Sequence, residues 1–330
     1  MAVGPELVGG IVSANIPALP HLTVMRSLLT KSPCIVKTAA AEPHFLPAYA
    51  RSLFEVDPEV GRHVAVVGFG HEHAALLEAF LEHLDFLIAY GGPEAMAALR
   101  SRVGPGVRTL FHGHRLGFCL LARDAPSDPG LAGNVALDTV LFDQEACLAP
   151  HVAFVEADFD TACVLAQQVA REMDRLHDDY PLGHRPLAWK LSVRHALDEA
   201  AMDPGRRTRV FPAGSVERGV VLVQELARFE ASPLGRFLRV VPVESLEHAL
   251  DIVRPLSGLL QNASIAASPD RRRTLAAALA ALGVSRVCPP GNMGTPSMMW
   301  HHDGQGCLAA MVRFTDWEVR RSPPLPNKNS

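Results

Sequence analysis

The segment Asp143-Gln144-Glu145-Ala146-Cys147-Leu148-Ala149-Pro150 places a cysteine after a polar turn and just before an apolar run at 151–156. A thiolate is the strongest nucleophile a side chain offers near neutral pH, and its reactivity depends on where the thiol sits. Cys147 is therefore the first candidate for covalent chemistry, against the alternative of a buried structural thiol. Cys34, Cys119 and Cys288 fall inside apolar strand-like runs and Cys163 inside a helical one, so these read as core; Cys307, after a glycine-rich turn, is the rival for exposure. Asn15 stands between an apolar run and Pro17, where a fixed amide can donate to a developing oxyanion or simply make a turn. Lys37 closes an apolar run and could meet a ribose or phosphate as a point charge, or solvate a strand end. Gly68-Phe69-Gly70 lacks the third glycine of a GxGxxG, since His73 takes that place, and alone it is a tight turn. The histidines near positions 71–73, 112–114 and 301–302 lack the helical spacing of a zinc-protease motif, and no CxxC occurs, so no metal is expected.

Such groups need a scaffold. Runs at 7–13, 34–37, 64–67, 86–90, 107–111 and 118–122 read as strands, with helical spacing at 19–29, 43–54 and 71–84 and a helix beginning at Pro93. The strand runs are apolar throughout rather than alternating. That suits strands buried on both faces, hence an α/β fold with a parallel sheet between helices. Ligands on such sheets bind at the carboxyl ends of the strands, which brings forward Asn15, Lys37, Gly68, Gly70, Gly91 and Gly92. The Pro/Gly/Asp-rich loop 126–133 suggests a boundary. We expect a dinucleotide-binding domain at 1–130 and a second α/β domain at 131–300 carrying Cys147. Its helices fall at 159–177, 186–202, 245–253 and 269–282, and its strands at 220–223, 237–241, 263–267 and 284–288. A C-terminal strand segment at 301–319 and a polar, proline-rich tail at 320–330, expected to be disordered, complete the chain.

The totals exclude several classes. A formal charge of −4 offers no basic surface for nucleic acid. Six cysteines in 330 residues are too sparse for a disulfide framework, which fits a reducing, cytoplasmic setting. No window holds roughly eighteen unbroken apolar residues, so no membrane span is expected. The apolar start lacks a basic region and is broken by Pro5, Pro17 and Pro20, a poor signal peptide.

Taken in order, these motifs resemble the aldehyde dehydrogenase superfamily: Asn15-Ile16-Pro17 its oxyanion turn, Ile35-Val36-Lys37 the strand bearing its cofactor lysine, Gly68-Phe69-Gly70 and Tyr90-Gly91-Gly92-Pro93-Glu94 its cofactor turns, and Gln144-Glu145-Ala146-Cys147 its nucleophile segment, with Asp143 in place of a glycine. The closer resemblance is to the long-chain acyl-thioester reductases of the bacterial bioluminescence type, through Asn15 to Pro20, Gly113-His114-Arg115, Asp143 to Cys147, and Trp300-His301-His302-Asp303-Gly304 through Val312-Arg313-Phe314. The resemblance implies an aldehyde-dehydrogenase-like fold, Cys147 as nucleophile, Asn15 as oxyanion donor, and a nicotinamide dinucleotide held by Lys37, Gly68, Gly70, Gly91, Gly92 and Glu230. Glu230 comes from a looser match of Phe229-Glu230-Ala231-Ser232-Pro233.

Three departures sharpen the expectation. Phe111 stands where the superfamily has its general-base glutamate, which favours reduction of an acyl thioester over hydrolysis of an acyl-enzyme. Ala40 stands where NAD-preferring members place a ribose-binding glutamate, which favours NADPH. The chain also begins at the first cofactor-domain strand, so it looks N-terminally shortened relative to the family. The expected activity is NADPH-dependent reduction of an acyl-CoA or acyl-carrier thioester to an aldehyde. An acyl-transferase partner and a homo-oligomer are possible associations. The alternatives are a non-catalytic binding subunit and a CoA-acylating dehydrogenase of short aldehydes.

Overall fold

A computed structural model describes residues 1–318 except Pro17, Pro204 and Ala227. The expected tail at 320–330 lies outside the described residues. The chain forms two compact units, Met1–His112 together with the segment from Gly306 onward, and Gly113–Gln305.

The first unit runs β1 (Ala2–Val3), β2 (Val8–Ile11), α1 (His21–Leu29), β3 (Cys34–Lys37), α2 (Phe45–Val56), α3 (Pro58–Gly61), β4 (Val64–Val67), α4 (Ala74–Glu82), β5 (Phe86–Tyr90), α5 (Pro93–Arg100) and β6 (Arg108–His112). Its five-stranded sheet is parallel, in the order β4-β3-β2-β5-β6. The chain winds outward from β2 to β4, returns, and adds β5 and β6 on the other side. That is the doubly wound order, whose switch point lies between β2 and β5. Every residue of β5 is buried. Phe86, Ile88 and Tyr90 pack into one apolar cluster and Leu87 and Ala89 into the other, so the two-residue strand period feeds a core on each face.

The second unit runs β7 (Leu116–Leu121), α6 (Leu131–Val140), β8 (Pro150–Glu156), α7 (Phe159–Arg175), α8 (Leu187–Met202), β9 (Thr208–Ala213), β10 (Ser215–Gln224), β11 (Phe237–Val243), α9 (Leu246–Val253), β12 (Leu260–Ala266), α10 (Pro269–Ala281) and β13 (Arg286–Cys288). Its sheet follows the order β13-β12-β7-β8-β11-β10-β9, parallel throughout except for the antiparallel edge pair β9–β10. A final strand, β14 (Arg313–Phe314), pairs antiparallel with β1 in the first unit.

Five details differ from expectation. The strand expected at 118–122 in the first domain is β7, an interior strand of the second sheet; its six residues are all buried and pair with β8 and β12. The units therefore part at Gly113, not at residue 130. Helix α6 takes the last three residues of the expected loop and runs on to Val140: Ala132, Val135, Ala136, Thr139 and Val140 bury one helical stripe, masked in sequence by small residues. Edge strand β9 was not foreseen, and of the expected C-terminal strand segment at 301–319 the described residues form the two-residue strand β14. Finally, the segment 301–305 belongs with the second unit. Among the described residues no helix is long and apolar enough to cross a membrane.

Candidate active site

Cys147 sits in the turn that enters β8, at the amino edge of the second sheet. The turn before it is conformationally costly. Phe142, Asp143 and Gln144 all lie in the left-handed region, with φ of 53°, 51° and 63°. Non-glycine residues adopt this region at a cost, so three in succession require outside support. Gln144, fully buried, supplies much of it. Its Nε2 donates to Pro150 O at 2.7 Å and Phe237 O at 2.9 Å, while its Oε1 accepts from Phe237 N at 2.8 Å. Ser232 Oγ lies 3.2 Å from the same Oε1. One side chain thus ties the turn before Cys147 to both β8 and β11.

Asp143 supplies the rest. Its Oδ1 accepts from Nε of buried Arg236 at 2.7 Å, and its Oδ2 pairs with Arg185 at 2.7 Å. Arg185 also pairs with Glu145. Where the family pattern has glycine, a conformationally free residue, this chain has an aspartate that the two arginines hold in place. Glu145, two residues before the cysteine, is engaged by Arg185.

The approach of β7 and β12 to this turn is close. A Cβ on Gly117 would lie 2.5 Å from Ala149 O, so glycine is required there. Asn262 Nδ2 donates to Leu148 O at 2.8 Å, which sets its neighbour Gln261 beside Cys147. Gln261 is buried, and its Nε2 donates to Asp303 Oδ1 at 2.6 Å. The Asp303 carboxylate is buried and also accepts from Arg115 Nε at 3.0 Å. Two of the segments that carried the resemblance, Gly113 to Arg115 and Trp300 to Gly304, therefore meet at the thiol. Gln261 was missed in sequence because Gln261-Asn262 precedes the apolar run and reads as loop.

Burial pushes the Cys147 thiol up to about 12; the Asp303 charge adds to this, and Arg115 and the Gln261 amide act the other way. The thiol retains partial exposure all the same. Replacing Asp303 with Asn removes an anion that opposes the thiolate. Asp303→Asn is expected to raise the rate of Cys147 alkylation by iodoacetamide at pH 8 by about tenfold. Peptide-resolved mass spectrometry checks it, and an unchanged rate-versus-pH profile contradicts it.

His151 follows on β8. Its Nδ1 accepts from Ser232 N at 3.1 Å, which requires the neutral ring. Burial holds its pKa down at about 4, with His114 and Arg239 contributing. A histidine whose folded pKa is depressed contributes stability above its unfolded value, lost as pH falls through about 6.5 towards 4. The loss amounts to about 3 kcal/mol by linkage. Denaturant titrations at pH 7 and pH 4 are expected to show His151→Gln losing correspondingly less stability than the parent; equal losses contradict the assignment.

Cys34, Cys119 and Cys163 are buried as expected, whereas Cys288 is partly exposed. Arg26 Nη2 lies 3.4 Å from Cys307 Sγ.

In the first unit, Lys37 ends β3, with Nζ 3.4 Å from Thr38 O and 4.9 Å from the centre of the Phe69 ring. Burial lowers its pKa, and the Glu72 charge acts against that. Gly68 and Gly70 follow β4, and Gly91 and Gly92 follow β5. Gly92 immediately precedes α5, with Pro93 at the first helical position and no side-chain cap, and a Cβ on Gly92 would meet nothing within 4 Å. A cation, a glycine turn and an uncapped helix start at the carboxyl edge of a doubly wound sheet suit an anionic dinucleotide. Ala40, at the expected acidic position, is an exposed turn residue. Asn15 is exposed, and Ser13 Oγ donates to its Oδ1 at 2.6 Å. Phe111 is buried under the Arg100 guanidinium, 4.4 Å from its ring centre.

Glu230 lies in the second unit. One of its oxygens accepts from Arg228 Nη2 at 2.8 Å and Arg206 Nη1 at 3.3 Å. The other meets Arg239 Nη1 at 3.1 Å and Gln224 Nε2 at 3.2 Å.

The family model described as acyl-CoA reductase (LuxC) matches residues 1–314. The long-chain acyl-protein thioester reductase of Aliivibrio fischeri is 25% identical over 315 residues, covering 93% of this chain and 63% of its own length. That of Photorhabdus laumondii is 25% identical over 328 residues, with the same coverages of 93% and 63%. The chain thus spans 63% of the length of these curated relatives. Among solved structures, lactaldehyde dehydrogenase from Escherichia coli superposes with a TM-score of 0.73 at 15% identity, covering 94% of this chain and 70% of that one. The fold is therefore that of the aldehyde dehydrogenases, as expected.

Proposed function

Because the chain belongs to the acyl-CoA reductase (LuxC) family, we propose that it reduces a fatty acyl thioester, carried on CoA or a carrier protein, to an aldehyde with NADPH, through an acyl-enzyme on Cys147. The observation that carries this reading is the turn at 142–147: a strained backbone held by Gln144 and Asp143 so that Cys147 is presented where β7, β8 and β12 begin.

In the first half-reaction the Cys147 sulfur attacks the acyl carbon, the bond from that carbon to the donor sulfur breaks, and the proton lost by Cys147 ends on the departing thiol. The Cys147 backbone N–H and the Asn15 amide are the assigned oxyanion donors; losing one such donor typically costs about 3–4 kcal/mol of barrier. Lys37, Gly68, Gly70, Gly91 and Gly92 would hold the dinucleotide, with the exposed Ala40 leaving room for a 2′-phosphate near Lys37. When bound, the nicotinamide supplies the hydride that turns the acyl group into an aldehyde, and Cys147 is released as the thiol. Glu230, assigned to the nicotinamide ribose on the resemblance, would share that contact with Arg228, the most exposed of its arginine partners.

The test is product analysis. The purified chain, given tetradecanoyl-CoA and NADPH, is expected to yield tetradecanal by gas chromatography, with NADPH favoured over NADH by about tenfold or more in kcat/KM. Saturating NADPH is also expected to stabilise the fold, by about 2.7 kcal/mol at a hundred times its Kd. A folded chain that neither forms tetradecanal nor is stabilised by NADPH contradicts the proposal.

A further inference from the structure

Gln261, beside Cys147, carries one of the buried polar atoms that receive no hydrogen bond among the described residues. Gln261 is 1% exposed, and its Nε2 faces the Asp303 carboxylate. A carboxylate accepts and does not donate, so the amide orientation is set by chemistry: nitrogen towards Asp303, carbonyl oxygen away. Arg115 Nε donates to the same Asp303 oxygen at 3.0 Å, which holds that oxygen as an acceptor and so the amide nitrogen towards it. Among the described residues the Gln261 Oε1 is buried and receives no hydrogen bond. A buried acceptor without a donor is destabilising, and such groups in native proteins call for an explanation. The neighbouring Cys147 thiol does not provide one, because a thiol is a weak donor and gives up its proton on acylation.

The reaction brings one donor to this place. The thioester carbonyl itself offers none. The donor thiol does. In a pantetheine thioester the sulfur is followed by two carbons and then an amide N–H. In an S-acylated cysteine of a protein the sulfur is likewise followed by two carbons, Cβ and Cα, and then a peptide N–H. Both kinds of acyl donor carry the same group at the same spacing.

We propose that the Gln261 Oε1 is a specificity-determining acceptor for the amide N–H two carbons from the sulfur of the thioester donor. The inference rests on the reading of Cys147 as the acylated nucleophile. The Arg115–Asp303 pair acts as a positioning element, holding the Gln261 amide with its oxygen free for the substrate. A site built to receive a donor discriminates against an analogue that lacks it, because the site's own polar group is then left unpaired.

The experiment measures Cys147 acylation by intact mass without cofactor. Four tetradecanoyl thioesters are compared: those of N-acetylcysteamine and N-acetylcysteine methylamide, and the partner of each in which an ester oxygen replaces the N–H. The full chain is expected to prefer an N–H donor over its ester partner by about tenfold or more. Gln261→Met and Gln261→Asn, checked for folding by circular dichroism, are expected to bring the ratio close to unity. Only the ratio is read, so a loss of general activity does not mimic the effect. Discrimination confined to the cysteamine pair assigns the site to pantetheine donors, and confined to the cysteine pair, to an acylated protein. Equal rates in the parent chain, or discrimination that survives in a folded Gln261 variant, overturn the inference while leaving the acyl-enzyme intact. No acylation by any donor overturns the acyl-enzyme reading and this inference with it.

Discussion

Cys147→Ala is expected to lower the turnover of tetradecanoyl-CoA by roughly four orders of magnitude or more while leaving the fold and NADPH binding in place. Removing a covalent nucleophile abolishes the pathway through the acyl-enzyme and leaves only what binding and oxyanion donors contribute. The substitution removes a single sulfur from a partly exposed turn residue. The supports of that turn run through Gln144 and Asp143, not through the thiol. Thermal stability and the NADPH dissociation constant should therefore stay close to those of the parent. Cys307→Ala is the matching control: Cys307 lies in the other unit, against Arg26, and its loss should leave turnover unchanged. Steady-state kinetics of both variants decide the matter. Full activity in Cys147→Ala, or loss of activity in Cys307→Ala alone, contradicts the assignment.

Gln144→Leu is expected to be the most damaging substitution for stability. Leucine fills a similar volume but cannot bond. Phe237 N loses its acceptor at 2.8 Å, and Pro150 O loses a donor at 2.7 Å. Phe237 O keeps Ser232 Oγ at 2.6 Å and loses Gln144. Each buried group left unpaired costs about 1–3 kcal/mol, so the expected total is about 4 kcal/mol. The same bonds hold the left-handed turn, so its strain would be released by moving Cys147. Calorimetry should find the melting temperature lower by about 10 °C, given the usual relation for large domains. Alkylation of Cys147 in the folded fraction should change rate as well. A Gln144→Leu chain as stable as the parent contradicts the role given to this side chain.

The fold was legible wherever a strand is a continuous apolar run, whether buried throughout as β5 or partly exposed as β4. Strands β3, β4 and β5 fall where the runs at 34–37, 64–67 and 86–90 placed them. Which sheet a strand joins was not legible: the run at 118–122 looks like its predecessors, and only its pairing with β8 and β12 assigns it to the second unit. Helix α6 hid behind Gly133 and small residues, whose helical stripe is weak in side-chain bulk. Cys147 stood out because a thiol between a polar turn and a strand is rare enough to notice. Its supports did not. Arg236 and Gln261 are distant in sequence from Cys147, and nothing in their neighbours signals the pairs they make with Asp143 and Asp303. Such contacts arise only when strands distant in sequence become neighbours.

The acyl-enzyme is tested by intact mass of the purified chain mixed with tetradecanoyl-CoA in the absence of cofactor, followed by peptide mapping. One hydroxylamine-labile tetradecanoyl adduct is expected on Cys147, absent from Cys147→Ala and discharged as tetradecanal when NADPH is added. A folded, NADPH-binding chain that forms no adduct with short, long or carrier-bound donors, or that carries it on another residue, would contradict the acyl-enzyme.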